Sequence, residues 1–245
     1  MLKKVLLVVL IVYSLFSTML LISQSADIAD LESKLSVLEN QGESIDETTS
    51  EDNKSNVVNV AAFDAEKVIE SLNIEEIHYE SKYSNYAFLI IENTSDYNIQ
   101  IDVEAKFYNQ AGELVGAKNE SEVAFEKGYE MVIRFSVDEA FEKMEYEITV
   151  DEEDYYDCVI SDLEYETVSA KNKEIVSVKN NGDEAADFVE THALFFKNGK
   201  VVGFDDVYFV DDESQLKPGK TLTKEMDCYE EYDNVRFFFT GRRYW

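Results

Sequence analysis

Two cysteines, Cys158 and Cys228, and two histidines, His78 and His192, are the only sulfur nucleophiles and imidazoles in the chain. They leave little material for a zinc, haem or iron–sulfur centre. Neither histidine has catalytic company, since the chain contains no H-E-x-x-H, no G-x-S-x-G, no Gly-rich phosphate loop and no Ser–Lys motif. Carboxylates are the opposite case. With 52 Asp and Glu in 245 residues, pairs at glycosidase spacing arise by chance and point to nothing. The chain reads as a non-enzyme without a cofactor.

Two constellations remain that could bind. Asp151, Glu152, Glu153 and Asp154 supply hard oxygen donors suited to calcium, as do Asp205-Asp206 and Asp211-Asp-Glu213. None matches the EF-hand loop, which needs spaced acids around a central Gly, and the bland alternative is a solvated acidic loop. Arg236, Arg242 and Arg243 are three of the four arginines, and they flank the last apolar run beside Tyr244 and Trp245. A basic-aromatic tip of this kind could grip an anionic envelope polymer, or pair with the protein's own acids.

These residues sit in an acidic frame. Against the 52 acids stand 22 Lys and Arg, a formal charge of −30; without residues 1–26, which hold two Lys and no acid, it is −32. Such an excess repels phosphate backbones and excludes a nucleic-acid partner. Hydrophobic content of 45% and aromatic content of 13% are too high for a disordered acidic tail.

Lys3 and Lys4 precede an apolar run over 5–22, and Asp27, Asp30 and Glu32 follow it. Eighteen helical residues rise about 27 Å, close to the hydrocarbon thickness of a bilayer. The spacing predicts a signal-anchor over 1–26 with the amino terminus cytoplasmic and the rest outside. The rival is a cleaved signal peptide with Ser23 and Ser25 near the cut, which would release a secreted protein. Ile28, Leu31, Leu35 and Leu38 repeat as a and d positions over 27–40, either a coiled-coil stalk that pairs two chains or one solvated helix. Residues 41–61 are rich in Ser, Thr, Asn, Asp and Glu and read as a flexible linker. Over 62–72, Ala65, Val68, Ile69 and Leu72 space as an amphipathic helix.

The remainder carries an internal repeat. Gly112-Glu-Leu-Val-Gly116 recurs as Gly199-Lys-Val-Val-Gly203, Ala105-Lys-Phe-Tyr-Asn109 as Ala193-Leu-Phe-Phe-Lys197, and Lys127-Gly128 as Pro218-Gly219. Ile77-His-Tyr79 aligns with Leu163-Glu-Tyr165, Asn93 with Asn180, and 141–148 with 232–239. Each copy alternates apolar and polar residues with period two, as at Ile99, Ile101, Val103, Ala105 and Phe107, and is punctuated by Gly and Asn turns. The expected fold is mainly β: two tandem small antiparallel sandwiches, 62–150 and 151–245, behind the transmembrane helix and stalk.

Both copies resemble the FxLYD-type domain of Gram-positive extracytoplasmic proteins, on the Asn-Thr-Ser95 and Asn-Asn-Gly182 turns, the aromatic pairs Phe107-Tyr108 and Phe195-Phe196, and the turn Gly that follows. Asn109 and Lys197 stand where the name-giving Asp would be. The resemblance implies an immunoglobulin-like fold on a surface-attached protein, with no catalytic residues to transfer. Projected through the repeat, Cys158 falls opposite Leu72 and Cys228 opposite Val137, placing both in the second core as a disulfide or as two buried thiols. The expectation is a membrane-anchored, non-enzymatic binding or scaffold protein of the bacterial envelope, with a polymer or protein partner. A sensor or regulatory accessory subunit of a membrane or wall complex is the second class, and a wall hydrolase the third.

Overall fold

The apolar members of the alternating segment 99–107 are all buried, while Asp102, Glu104 and Lys106 face water. The computed structural model describes residues 62–82, 84–210 and 214–244. The anchor, stalk and linker expected over 1–61, the acidic run 211–213 and Trp245 lie outside these residues. Among the described residues no helix is long and apolar enough to cross a membrane.

A short helix, α1 (Ala65–Ser71), opens the described chain, with the Asp64 side chain accepting the Lys67 N–H at its start. Val68 points into the first core. Six strands follow: β1 (Leu72–Glu80), β2 (Asn85–Asn93), β3 (Ile99–Tyr108), β4 (Leu114–Phe125), β5 (Glu130–Val137) and β6 (Lys143–Glu152). They form sheet I, ordered β1-β2-β5, and sheet II, ordered β4-β3-β6, all antiparallel. The second half contributes β7 (Tyr156–Cys158), β8 (Leu163–Ala170), β9 (Lys173–Asn180), β10 (Ala186–Lys197), β11 (Lys200–Tyr208), β12 (Gln215–Leu216), β13 (Thr221–Asp227) and β14 (Asn234–Tyr244). Sheet III runs β11-β10-β14-β7, with β12 on β10, and sheet IV runs β13-β9-β8. One core fills the space between sheets I and II, another that between III and IV.

The two halves repeat each other in detail. Asn93 and Asn180, both fully buried, end β2 and β9. Each side-chain amide donates to two carbonyls, those of Tyr97 and Phe125 in one copy and of Glu184 and Leu216 in the other. Each amide oxygen accepts the N–H two residues ahead, at Ser95 and Gly182. Gly128 and Gly219, at φ +80° and +69°, donate their N–H to the carbonyls of the same two asparagines. The register slips after Phe107 in β3 and after Phe195 in β10. Phe107 meets Phe141 at 4.9 Å, and Phe195 meets Tyr232 at 4.9 Å. A Cβ on Gly116 would touch Val137 at 3.4 Å and one on Gly203 would strike Cys228 at 2.8 Å, so Val137 and Cys228 are equivalent, as the repeat predicts.

The first strand departs from the predicted alignment. Leu72 lies opposite Asn93 and Leu163 opposite Asn180, so Leu163 matches Leu72 rather than Ile77. Local residue similarity misled the register by five positions where no turn signal pins it.

The sandwiches also pack on each other. Phe88, Ile90 and Val132 from the outer face of sheet I meet Leu194, Phe196, Val201 and Phe238 from the outer face of sheet III. The layers therefore stack II–I–III–IV with three cores. Residues 87–91 of β2 are all at most 2% exposed because their two faces lie in different cores. An unbroken apolar run marks a strand covered on both sides. Val132, on the outward phase of its strand, is buried by the same seam. Full burial of such side chains stabilises by about 1.5–3 kcal/mol each.

Candidate functional site

Edge strands β1 of sheet I and β11 of sheet III lie side by side where the seam opens to solvent. A groove follows them in two lobes of about 790 and 620 Å³, which share Tyr79, Ser81, Lys82, Val202 and Glu230. Its floor is aromatic. Tyr79 and Tyr86 stack at 6.0 Å, and the Phe204 ring meets Tyr86 edge-on at 4.7 Å. The Tyr79 hydroxyl donates to the Val202 carbonyl at 2.9 Å, tying β1 to β11 across the seam. Burial pushes the Tyr79 phenol above its ordinary range, so it stays a donor. Six carboxylates line the groove, Glu75, Glu76, Glu80, Asp205, Asp227 and Glu230, against Lys82 and Lys200. Tyr229, 94% exposed, stands on the rim. Asp205 accepts the N–H groups of Asp206 and Asp227, which joins β11 to the end of β13.

Ion pairs close the seam beside the aromatic floor. Arg134 of β5 reaches Asp206 of β11 at 2.7 Å and lies over the Phe204 ring at 4.8 Å. Arg236 of β14 reaches Glu75 of β1 at 2.6 Å and Glu130 of β5 at 3.1 Å. A smaller polar cleft of about 170 Å³ lies where β4 meets sheet III, lined by Glu122, Glu190, Tyr208 and Arg242 among others. Burial, then the nearby charges of Glu190 and Glu120, push the Glu122 carboxyl up to about 7. Burial also raises Glu190 and lowers His192, on the same strand.

The residues singled out in the sequence are dispersed rather than gathered. Cys158 and Cys228 are free thiols. Cys158 pairs with Arg242 on β14, while Cys228 lies against Gly203, whose sheet neighbours lead through Phe195 to Val235. Seven strand residues separate those levels, about 23 Å, and a disulfide needs Cα atoms within about 7 Å. The disulfide reading is thereby corrected. Cys158 belongs to the short β7, not to a first strand. Burial, then Glu126, Glu153 and Asp157, push its thiol up to about 12, and burial raises Cys228 too, so neither is a ready nucleophile.

The described calcium candidates do not gather either. Asp151 and Glu152 sit on β6 opposite Gln100 and Ile99 and are exposed, as is Asp154. The Glu153 carboxylate accepts the N–H groups of Ala124, Tyr155 and Tyr156, a structural tie at the junction of the halves. Among the described residues no group of three acids, His or Cys converges on a metal position.

The polymer-binding tip divides in two. Arg236 closes the seam, six strand positions from Arg242. Arg242 lies between the Phe188 and Tyr156 rings at 4.5 and 5.0 Å. Arg243 donates to the Ala185 carbonyl and pairs with Asp162 at 3.2 Å. His78 pairs with Glu76 at 2.6 Å and meets the Phe141 ring. The groove aromatics Tyr79, Tyr86 and Phe204 were not among the candidates. Their signal was the break in alternation at 87–91 and 194–196, which marks a face covered by something outside the sandwich.

No known family profile and no curated protein sequence matches the chain. Among solved structures it is similar to a red sea bream transglutaminase, at 9% identity and TM-score 0.21, over 70% of this chain and 29% of that one. It is similar to a calcium-binding mutant of Bacteroides uniformis β-glucuronidase 2, at 13% identity and TM-score 0.19, over 69% and 28%. The C-terminal globular domain of an oligosaccharyltransferase from Pyrococcus abyssi gives 12% identity and TM-score 0.18, over 71% and 47%. The chain thus spans under half the length of each of these chains, and likenesses this low carry no argument about activity.

Proposed function

We propose that the chain is a membrane-anchored, extracytoplasmic binding or scaffold protein of the bacterial envelope, non-enzymatic, with immunoglobulin-like sandwiches of the FxLYD type. One observation carries the binding reading: the seam between the sheet stacks is closed by a core and ion pairs along its length but opens between β1 and β11 into a long aromatic groove. Aromatic faces with a polar rim are the composition of recognition surfaces. The apolar run 5–22 and the lysines before it support the anchor and its orientation. Display is then the mechanism: the anchor localises the chain and the locked sandwiches present one preformed groove.

The test uses the full chain with a C-terminal epitope, expressed in a Gram-positive host. Protease added to intact cells should remove the epitope, and a protected epitope would overturn the topology. A photocrosslinking residue at Tyr229 should give discrete envelope adducts that the same residue at Val168, exposed on sheet IV, does not. Equal labelling from the two positions, or none from either, would overturn the groove as the binding site.

A further inference from the structure

We infer that the groove between β1 and β11 takes an extended, cationic segment of a partner polypeptide, which adds as a strand to the open edge of β1. This deepens the binding reading above and rests on it. Among the described residues β1 has a single strand neighbour, β2, and β11 likewise has only β10. A strand edge presents a row of unpaired N–H and C=O groups, a template for one more strand. The two lobes run the length of 75–82 and continue onto 202–205, an elongated shape. Nine residues of β1 extend about 30 Å, which suits a strand-shaped occupant rather than a compact molecule. Tyr79, bonded to Val202, closes the floor beneath the edge and leaves the rim to the occupant.

Charge selects the kind of peptide. Of the six groove carboxylates, Glu75 is held by Arg236 and Glu76 by His78, which leaves Glu80, Asp205, Asp227 and Glu230 against Lys82 and Lys200. The acids are strung out rather than converging, since no described cluster could hold a metal ion. Glu76 and Glu80 lie on the face of β1 opposite Tyr79, with His78 between them, so these acids recur along the edge at about 13 Å, the spacing of every second side chain on one face of an added strand. Distributed positive charge on an extended chain matches that row. The net charge of −30 draws such a partner in from a distance.

The experiment titrates full-length protein in mild detergent with fluorescein-labelled (Lys-Thr)5, followed by anisotropy. Three comparisons decide it: (Glu-Thr)5, a (Lys-Thr)5 carrying N-methyl groups on alternate backbone amides, and the double variant Glu80→Lys, Glu230→Lys. Both substitutions lie at exposed positions away from the seam ion pairs. The cationic peptide should bind. N-methylation and the double variant should each weaken it at least tenfold, and the acidic peptide should not bind. Equal affinity after N-methylation would reduce the effect to bulk charge and overturn strand addition. Unchanged affinity in the double variant would place binding elsewhere and overturn the site. If the cationic peptide fails while the Tyr229 adduct persists and is lost in the double variant, the peptide class falls and the groove stands as a binding site. If peptide and adduct both fail, both readings fall.

Discussion

The two copies share an interior and differ on their outer faces. Inside, each has the buried asparagine, the slipped phenylalanine and the close glycine. Outside, matched positions diverge. Phe88 and Ile90 on sheet I correspond, through the asparagines, to Ile175 and Ser177 on sheet IV. There Ser177 bonds Thr223 at 2.8 Å and Lys173 pairs with Glu225, a solvated face. Leu194 and Phe238 on sheet III correspond to Lys106 and Glu147 on sheet II, through Phe195 and Phe107. The seam thus joins the β1-β2-β5 face of the first copy to the β11-β10-β14 face of the second. A head-to-tail contact of this kind could propagate into a filament. Polar residues on the outer faces of sheets II and IV stop it after one step. Duplication supplied the cores, and divergence of the outward phase decided which faces meet.

The largest effect should come from giving a seam position its counterpart's residue. Phe238→Glu, which copies Glu147, places a charge in the third core and should cost about 4 kcal/mol or more. Urea unfolding followed by circular dichroism should then split into two transitions, one per sandwich. A single transition at the parental midpoint would show that the seam contributes little.

Next come the asparagines. Asn93→Ala and Asn180→Ala each strand two carbonyls and a backbone N–H that their amides satisfy, a loss of about 2–4 kcal/mol. The two losses should agree within about 1 kcal/mol. A large inequality would break the equivalence of the copies.

The glycines sharpen the comparison. Gly203→Ala drives a methyl into the Cys228 sulfur and should cost about 1–3 kcal/mol, whereas Gly116→Ala meets Val137 at contact distance and should cost less. Cys228→Ala should relieve the first loss and leave the second unchanged. Equal costs without relief would mean that the backbone, not the sulfur, limits the site.

The smallest effect concerns pH. With its pKa raised to about 7, Glu122 binds its proton more tightly in the folded chain than in the unfolded one, so its contribution to stability falls as pH rises from 4.5 towards 7. Glu190 acts in the same direction, and His192, lowered by burial, in the opposite one. At pH 8, Glu122→Gln should therefore stabilise by about 1–2 kcal/mol once solvent screening is discounted, and should flatten the slope between pH 5 and 7. An unchanged slope would show that Glu122 ionises as an ordinary surface carboxylate.

Much of each sandwich was legible because strand periodicity and turn glycines are local signals. The alternation of 99–107, the two hairpins at Gly112 and Gly199, and the match of Asn93 with Asn180 all survive in the fold. The first strand of each copy was misaligned because it has no turn of fixed length before it. The seam was partly visible as unbroken apolar runs at 87–91 and 194–196, but a run records only that a face is covered. His192, on the outward phase of its own sandwich, is half-buried for the same reason.

By itself, the sequence determined the β architecture, the duplication and the inward-facing residues, because period-two burial and left-handed turn positions depend on nearest neighbours along the chain. Only the tertiary structure decided that the arginines of the last strand serve different places, that the two thiols lie apart, and that β1 and β11 flank one groove. Those outcomes depend on which outer faces exclude water together, a choice made between segments more than a hundred residues apart, as in Tyr79 and Val202.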